Sequence, residues 1–244
     1  HLDELIKKLN ERSVIAVDTE TSSLNPQEAD LVGVSVCCEA NDAYYIPVGH
    51  KEKTELNKDL VLKKLKLILE DPSIKKIGQN IKYDFIVFKN HGIELNPVED
   101  TMLLSYTLDA GSNRHNMDTL SELHLGHKTI SYKDLVGTGK KQLNFSEVDI
   151  KSATEYAAED ADVTLRLYEV LSGRLSDEKL EKIYEIFEKP MINILSKLET
   201  NGIKVDDAYL KKLSKKFEER LLKIEKEIYK ISGKKFNIGS PKQL

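Results

Sequence analysis

The stretch VIAVDTETSSL at residues 14–24 constrains the fold most, because an apolar run typical of a buried strand ends in two acidic residues. Side chains alternate between the two faces of a strand, so Asp18 and Glu20 point to the same side as Val14 and Ala16. Neighbouring carboxylates repel each other, and burying them without a partner is costly. The sequence therefore predicts either a bound cation at the end of this strand or a strand end that opens into water.

Periodicity in the rest of the chain predicts an α/β protein. The predicted strands cover residues 13–18, 31–38, 43–48 and 75–78. The predicted helices cover residues 59–70, 80–91, 100–108, 116–125 and 150–175, followed by two Lys- and Glu-rich helices at 178–200 and 207–232. Strands that cluster early, with helices between and after them, favour a sheet covered by helices. Pro190 is expected to start or kink the helix in which it lies.

Composition is that of a globular protein with 32% charged residues and a net charge of −4. No apolar run approaches the roughly 18 residues needed to cross a bilayer, and no signal peptide is recognisable. The two cysteines, Cys37 and Cys38, are adjacent and would face opposite sides of a strand. Reduced thiols and a cytoplasmic location are therefore expected.

A second acidic residue interrupts an apolar pattern in GQNIKYDFIVF, residues 78–88. If Asn80 begins a helix, Ile81, Asp84 and Phe85 share one face. For Asp84 alone, a position in water at the margin of the apolar stripe is the simpler interpretation.

A third interruption lies in TEYAAEDADVTLRLY, residues 154–168, where Asp160 falls in the middle of an apolar helical face. Tyr156 precedes it by one turn, so its hydroxyl could reach whatever Asp160 binds. Glu159 and Asp162 fall outside that face, and Asp162 is expected to form an exposed ion pair with Arg166.

Four carboxylates that violate the local pattern call for one explanation, because such violations mark functional sites. Oxygen ligands without His or Cys suit Mg²⁺ or Mn²⁺, and two such ions can hold a phosphodiester during attack by water. Storage of Ca²⁺ fits less well, because no twelve-residue acidic loop is present. A proton-relay pair, as in glycoside hydrolysis, would use two of the four acids.

The segments VDTETSSL, GQNIKYD and YAAEDADVTLRLY resemble the three motifs of the DEDD exonuclease superfamily, Asp-x-Glu, Asn-x-x-x-Asp and Tyr-x-x-x-Asp, in their usual order. With FEKPMINILSKLETNGIKVD and FNIGSPKQL behind them, they resemble the bacterial DNA polymerase I family (family A). The resemblance covers essentially the whole chain. It implies a ribonuclease-H-like fold with a mixed central sheet flanked by helices. It also implies a 3′-to-5′ exonuclease domain over residues 1–175 and a truncated helical start of the polymerase thumb over 176–244.

The resemblance also implies roles for individual residues. It implies two bound divalent cations, Mg²⁺ or Mn²⁺, with Zn²⁺ as an alternative at one site. The implied metal ligands are Asp18, Glu20, Asp84 and Asp160, and Tyr156 is the residue implied to orient the attacking water. The residues implied to contact the substrate are Thr21, Leu24, Asn80, Arg114 and Tyr132. On sequence alone, core packing for Leu24 and a solvated loop charge for Arg114 are equally open, and for Tyr132 a position without a binding role is slightly favoured.

The implied function is a metal-dependent 3′-to-5′ exonuclease that releases 5′-mononucleotides from single-stranded or frayed DNA 3′ ends and proofreads for an attached polymerase. Ser240 and Pro241 resemble a helix start, so the chain is expected to be a fragment of a longer protein, without polymerase activity of its own. A location in the bacterial cytoplasm, on nucleoid DNA and without membrane contact, is expected. Two alternatives stay open: an RNA-trimming exonuclease of the same superfamily, and a non-catalytic DNA-binding or spacer module of the polymerase.

Overall fold

The computed structural model describes residues 1–243, apart from the side chain of Lys140. Its strands are β1 (Val14–Thr21), β2 (Leu31–Cys37), β3 (Ala43–Pro47), β4 (Lys75–Gly78) and β5 (Val98–Asp100). Its helices are α1 (Leu2–Asn10), α2 (Lys58–Leu69), α3 (Lys82–Asn90), α4 (Thr101–Asp109), α5 (Met117–Leu125), α6 (Tyr132–Val136), α7 (Ile150–Asp177), α8 (Glu181–Ile183), α9 (Lys189–Asn201) and α10 (Asp207–Ser232). Short 3₁₀ turns occupy Gly139–Lys141 and Phe145–Glu147, and a π-helical segment occupies Tyr184–Glu188.

The strands form a mixed sheet in the order β3-β2-β1-β4-β5. Strand β1 pairs antiparallel with β2 and parallel with β4. Strand β3 pairs antiparallel with β2, and β5 pairs parallel with β4. The mixed sheet with flanking helices confirms the predicted fold class and places β1 at the centre of the sheet.

The two faces of β1 pack against different helices. Ile15 and Val17 belong to a core cluster that also contains apolar residues of α2 and α3. Ala16 belongs to a second cluster, with Ala161 and Leu165 of α7. Since α3 and α7 cover opposite faces, acidic side chains of the two helices can approach the end of β1 from opposite directions.

The predicted start of the third helix is wrong by two residues. Asn80 has a φ of 58°, in the left-handed region, and α3 begins at Lys82. Asparagine tolerates this conformation better than most residues. Its backbone N–H donates to Asp100 Oδ1 at 2.9 Å, which holds the turn in place. Three short elements, α1, β5 and α6, were not predicted from the sequence.

Helix α7 continues through the stretch SGRLSD to Asp177, where the sequence indicated a boundary. The single helix predicted over 178–200 is divided into α8, the π-helical segment and α9, and Pro190 is the second residue of α9, as expected. The chain divides into two compact units, His1–Asn201 and Gly202–Leu244. The domain boundary near residue 175 stays a prediction.

The second unit consists of α10 and the turns that follow it. Residues 241–243 form a turn where the sequence predicted the start of a helix, and the remainder of that prediction falls outside the described residues. Cys37 and Cys38 are free, buried thiols. None of the helices described here is long and apolar enough to span a membrane.

Candidate active site

Three carboxylates meet at the end of β1. Asp18 and Glu20 lie on the face of β1 that packs against α7, and Asp160 of α7 lies opposite them. One carboxylate oxygen of each residue lies within 4.8 Å of the other two. Glu20 and Asp160 are buried, and Asp18 is partly exposed. We refer to Asp18, Glu20 and Asp160 as the carboxylate cluster.

Asp84 reaches the same strand from its other face. Its Oδ1 accepts a hydrogen bond from the backbone N–H of Thr19 at 2.9 Å and another from the Thr19 hydroxyl. Asp84 is only 2% exposed, so the interpretation of this residue as an aspartate in water is wrong. The structure therefore holds Asp84 beside the carboxylate cluster by way of Thr19, rather than within it.

The electrostatics of these acids agree with their burial. Burial raises the pKa of Asp18 to about 7. Burial raises the pKa of Glu20 well above its ordinary value, and the charges of Asp18, Asp160 and Asp84 add to this effect. The pKa values of Asp84 and Asp160 are raised by burial first and by the charge of Asp18 second. Negative charge is therefore concentrated here at a considerable cost.

The donor set fits divalent cations. Among the side chains that the structure describes, no Lys or Arg lines the cleft at the cluster, and none forms a salt bridge with its acids. The converging ligands are carboxylate oxygens, the donors that Mg²⁺ and Mn²⁺ prefer. A bound cation would offset the repulsion that raises these pKa values.

A cleft of about 790 Å³ opens above the carboxylate cluster. Four of the five residues implied to bind substrate line it: Thr21, Leu24, Asn80 and Tyr132. Leu24 is 94% exposed, so core packing does not explain it. Arg114 is exposed and is not among the residues that line this cleft.

Three aromatic rings border the cleft next to the cluster, and we refer to Tyr132, Phe145 and Tyr156 as the aromatic group. The ring of Tyr132 stacks on Phe145 with centroids 6.4 Å apart, and it meets Tyr156 edge-on at 5.9 Å. Phe145 and Tyr156 are 6.2 Å apart. Burial, followed by the charges of Asp160 and Glu20, raises the pKa of Tyr156. Its hydroxyl therefore keeps its proton at neutral pH and can donate a hydrogen bond.

Sequence reasoning missed three residues at this site: Thr19, Tyr83 and Asn144. The Tyr83 hydroxyl donates to the carbonyl of Ser23 and contacts the Thr21 hydroxyl. Its position next to Asp84 was a usable signal. Asn144 lines the cleft and forms a capping box with Glu147, which the Asn-x-x-Glu spacing could have indicated.

Glu159 and Asp162 of α7 are not the exposed groups that the sequence suggested. Glu159 accepts hydrogen bonds from His127 Nε2 at 2.8 Å and from the backbone N–H of Ile130 at 2.6 Å. Asp162 accepts from the backbone N–H of Asn41, besides its pairing with Arg166 at 3.3 Å. Both acids are partly buried and bind neighbouring loops to the helix.

A mixed sheet flanked by helices, with acids converging on the end of its central strand, defines a ribonuclease-H-like nuclease fold. The family model for the 3′-5′ exonuclease matches residues 1–176. The chain therefore belongs to the 3′-5′ exonuclease family, a class of phosphodiester hydrolases, which confirms the resemblance seen in the sequence.

Comparison with individual proteins agrees with this assignment. The DNA polymerase I of Rhizobium leguminosarum is 43% identical over 263 residues, which cover 100% of this chain and 26% of that protein. The chain thus spans about a quarter of the length of the curated relatives it matches.

Solved structures agree as well. The POL domain of Pol1 from M. smegmatis, in complex with DNA primer-template and dNTP, superposes with a TM-score of 0.76 over 99% of this chain and 38% of that chain. At 21% identity it supports the fold alone. Brucella melitensis NrnC with bound Mg²⁺ is 26% identical, with a TM-score of 0.62 over 79% of this chain and 87% of that chain.

Proposed function

We propose that this chain is a metal-dependent exonuclease that removes 5′-mononucleotides from the 3′ ends of DNA and proofreads for an attached polymerase. The observation that carries the proposal is the carboxylate cluster at the floor of an open cleft. Its acids have no basic partner among the described side chains, and this is the arrangement that a cation-dependent hydrolase needs. The relatives are bacterial DNA polymerases I, so DNA of the bacterial nucleoid is the proposed substrate.

Asp18, Glu20, Asp84 and Asp160 would hold two divalent cations, Mg²⁺ or Mn²⁺, with Zn²⁺ as an alternative at one site. Bound cations of this kind activate water at neutral pH and stabilise the charge that develops on a phosphodiester under attack. The Mg²⁺ of the NrnC structure supports this choice of ion. Thr19 keeps Asp84 in place, because its two hydrogen bonds fix one carboxylate oxygen.

The protein's own residues position the substrate and the nucleophile. Tyr156 lies beside Asp160 and Glu20, and its protonated hydroxyl orients the attacking water. Leu24 projects into the cleft and contacts the terminal base, and Tyr132 offers an aromatic edge to the same end. Such apolar and aromatic contacts hold single-stranded nucleic acid without reading its sequence. A frayed or single-stranded 3′ end is therefore the proposed substrate, rather than paired duplex.

Release of nucleotides from a 3′-labelled single-stranded DNA oligonucleotide, with Mg²⁺, Mn²⁺ or EDTA, tests the proposal. Asp18→Ala and Asp160→Ala should abolish release. The matched control is Glu155→Ala, an exposed acid on the same helix, which should leave activity unchanged. An RNA oligonucleotide of the same sequence should be cleaved more slowly than the DNA.

Two outcomes would contradict the proposal in different ways. No release with either metal from a folded chain would favour the non-catalytic DNA-binding or spacer module. Faster cleavage of the RNA oligonucleotide would favour the RNA-trimming exonuclease.

A further inference from the structure

Asn144 joins the two walls of the cleft through one side chain. Its Nδ2 donates to the carbonyl oxygen of Ser22 at 2.7 Å. Its Oδ1 accepts from the backbone N–H of Ser146 at 3.0 Å and from the Ser146 hydroxyl at 2.9 Å. One end of the amide therefore caps the turn Phe145–Glu147, while the other end holds the loop that follows β1.

The turn on one side of this connection is firmly anchored. Lys51 forms a salt bridge with Glu147 at 2.6 Å, and the backbone N–H of Lys51 donates to the Ser146 carbonyl at 2.8 Å. His50 Nδ1 lies 3.0 Å from the carbonyl oxygen of Val148. The turn carries Phe145, which is 1% exposed and supports the rings of Tyr132 and Tyr156. Asn144 thus belongs to a fixed frame that includes the aromatic group.

The loop on the other side carries Leu24. On the side of β2 it is held by two hydrogen bonds between Ser22 and Asp30, at 3.0 and 2.9 Å. On the side of α3 it is held by the hydroxyl of Tyr83, which donates to the Ser23 carbonyl. On the side of α7 and the aromatic group, Asn144 supplies the hydrogen bond. Without it, the loop would keep its attachment to the sheet but lose its fixed distance from Tyr156.

We propose that Asn144 is a positioning residue that sets the distance between Leu24 and the aromatic group, and with it the place of the 3′-terminal nucleotide. The inference rests on the proposed function, because it assigns the terminal nucleotide to this cleft. Asn144 acts through the Ser22 carbonyl and the loop, not on the reacting atoms. Asn144 also caps the turn that carries Phe145, which supports the rings of Tyr132 and Tyr156. One side chain therefore positions both Leu24 and the aromatic rings relative to the terminal nucleotide.

The substitution Asn144→Ser tests the hydrogen bond to Ser22 separately from the cap of the turn. Serine caps a helical turn about as well as asparagine but is too short to reach Ser22, and the change adds no charge. The matched control is Asn57→Ser, because the Asn57 side chain caps α2 in the same way, by accepting from Leu60 N–H at 3.0 Å, and α2 lies outside the cleft lining. Loss of one hydrogen bond between neutral groups corresponds to about a fivefold to tenfold weakening.

Two readouts on the full chain test the inference. The first is fluorescence titration, in EDTA, of an oligonucleotide that carries 2-aminopurine at its 3′ end. We expect a dissociation constant about fivefold to tenfold higher for Asn144→Ser than for the wild type or Asn57→Ser. The second is steady-state release with Mg²⁺. There we expect KM to rise by about the same factor while kcat changes less than about twofold, because the loop binds substrate and does not perform the chemistry.

A double-mutant cycle with Leu24→Ala separates positioning from a general structural effect. If Asn144 acts through Leu24, the effect of Asn144→Ser on the dissociation constant should largely disappear in the Leu24→Ala background. An equal effect in both backgrounds, or a dissociation constant for Asn144→Ser that matches Asn57→Ser, would overturn the inference. Since the titration needs no hydrolysis, terminal binding that follows these expectations without metal-dependent release would contradict the proposed catalysis alone. A wild-type chain that fails to bind the labelled end would overturn both.

Discussion

The protein has two groups of acidic residues at the carboxyl ends of strands in one sheet, and the two groups differ in their hydrogen-bond and charge partners. The carboxylate cluster at the end of β1 has no basic partner among the described side chains. Glu99 and Asp100 at the end of β5 are even less exposed, at 4% and 1%, but they are surrounded by donors. Burial alone therefore does not distinguish a functional acid from a structural one.

The partners of the second group are specific. Glu99 accepts from Lys189 Nζ and from the Tyr184 hydroxyl, both at 2.8 Å. Asp100 accepts from three backbone N–H groups, those of Asn80, Ile81 and Met102, at 2.9 to 3.1 Å. We refer to Glu99 and Asp100 as the paired acids.

The two groups differ in where their hydrogen bonds and opposite charges come from. The paired acids obtain their hydrogen bonds from within the fold, and Glu99 also obtains an opposite charge there, so their side chains hold neighbouring segments together. The cluster obtains no opposite charge from the described side chains, so it retains a cost that an external ligand can remove. Substitutions should therefore affect activity and stability in opposite proportions at the two places.

The largest effect is expected from Asp160→Asn. This change removes one charge from the cluster at nearly constant volume, so we expect exonuclease activity to fall by about 10³-fold, equivalent to about 4 kcal/mol. In EDTA, the free energy of unfolding should stay the same or rise by about 1 kcal/mol, because repulsion between buried carboxylates decreases. Single-turnover release and urea unfolding measure the two quantities.

A loss of more than about 1 kcal/mol of stability in EDTA would contradict this expectation. It would mean that the ionised Asp160 carboxylate has a structural partner, and that the two groups of acids are alike.

The second effect should be the reverse of the first. Asp100→Asn places an amide where three backbone N–H groups need an acceptor, so we expect a loss of about 2–3 kcal/mol in the free energy of unfolding. The experiment is urea unfolding at about pH 7.5, above the pKa of about 6 to which burial raises this carboxyl. Activity of the protein that remains folded should fall much less than in Asp160→Asn. An unfolding free energy equal to that of the wild type would remove Asp100 from the structural class.

The cluster and the paired acids also differ in how far the sequence predicts them. The alternation of β1 and the helical periodicity of α7 predict that Asp18, Glu20 and Asp160 lie on the core-facing sides of their elements, but their proximity depends on how α7 packs against β1. The same holds for Asp84, because its contact with Thr19 depends on how α3 packs against β1, 65 residues away in sequence. Local periodicity could only describe Asp84 as an acid in an apolar stripe.

The sequence did not predict the paired acids either, because their partners are still more distant in the chain. Their partners Tyr184 and Lys189 lie 85 and 90 residues away, in a π-helical segment and a helix start that periodicity merges into one helix. Strand β5 is three residues long, too short to show an alternating pattern. Asn144 is intermediate: its capping box is a local signal, but its bond to Ser22 spans 122 residues.

A third, smaller effect is expected from Lys189→Met, which takes one cation from Glu99. Lys75 stays at 3.5 Å and the Tyr184 hydroxyl still donates, so we expect a loss of about 1–2 kcal/mol, below the usual cost of leaving a buried charge alone. Adding Glu99→Gln should restore part of this loss, because the buried charge then disappears. Urea unfolding of the two single variants and the double variant gives the coupling directly, and strict additivity of the two changes would contradict a direct pairing.

The smallest effect concerns a buried cation and extends the comparison to the opposite charge. Lys76 is fully buried, and its Nζ donates to the carbonyl oxygens of Asp71, Asn96 and Ile68. Burial lowers its pKa from 10.5 to about 8. Between these two values the unfolded state binds more protons than the folded state, so the free energy of unfolding rises with pH.

Relative to Lys76→Met, which cannot titrate at this position, the wild type should gain under about 1 kcal/mol of stability between about pH 7.5 and pH 8.5. Urea unfolding of both proteins at the two pH values measures the gain, and the subtraction removes the titration of all other groups. A difference that stays constant would mean that the three carbonyls fully replace the hydration of the ammonium group. Lys76 would then resemble the paired acids, whose hydrogen bonds are supplied by the fold. A gain in stability with pH would instead make Lys76 similar to the acids of the cluster, whose charge is buried at a cost in free energy.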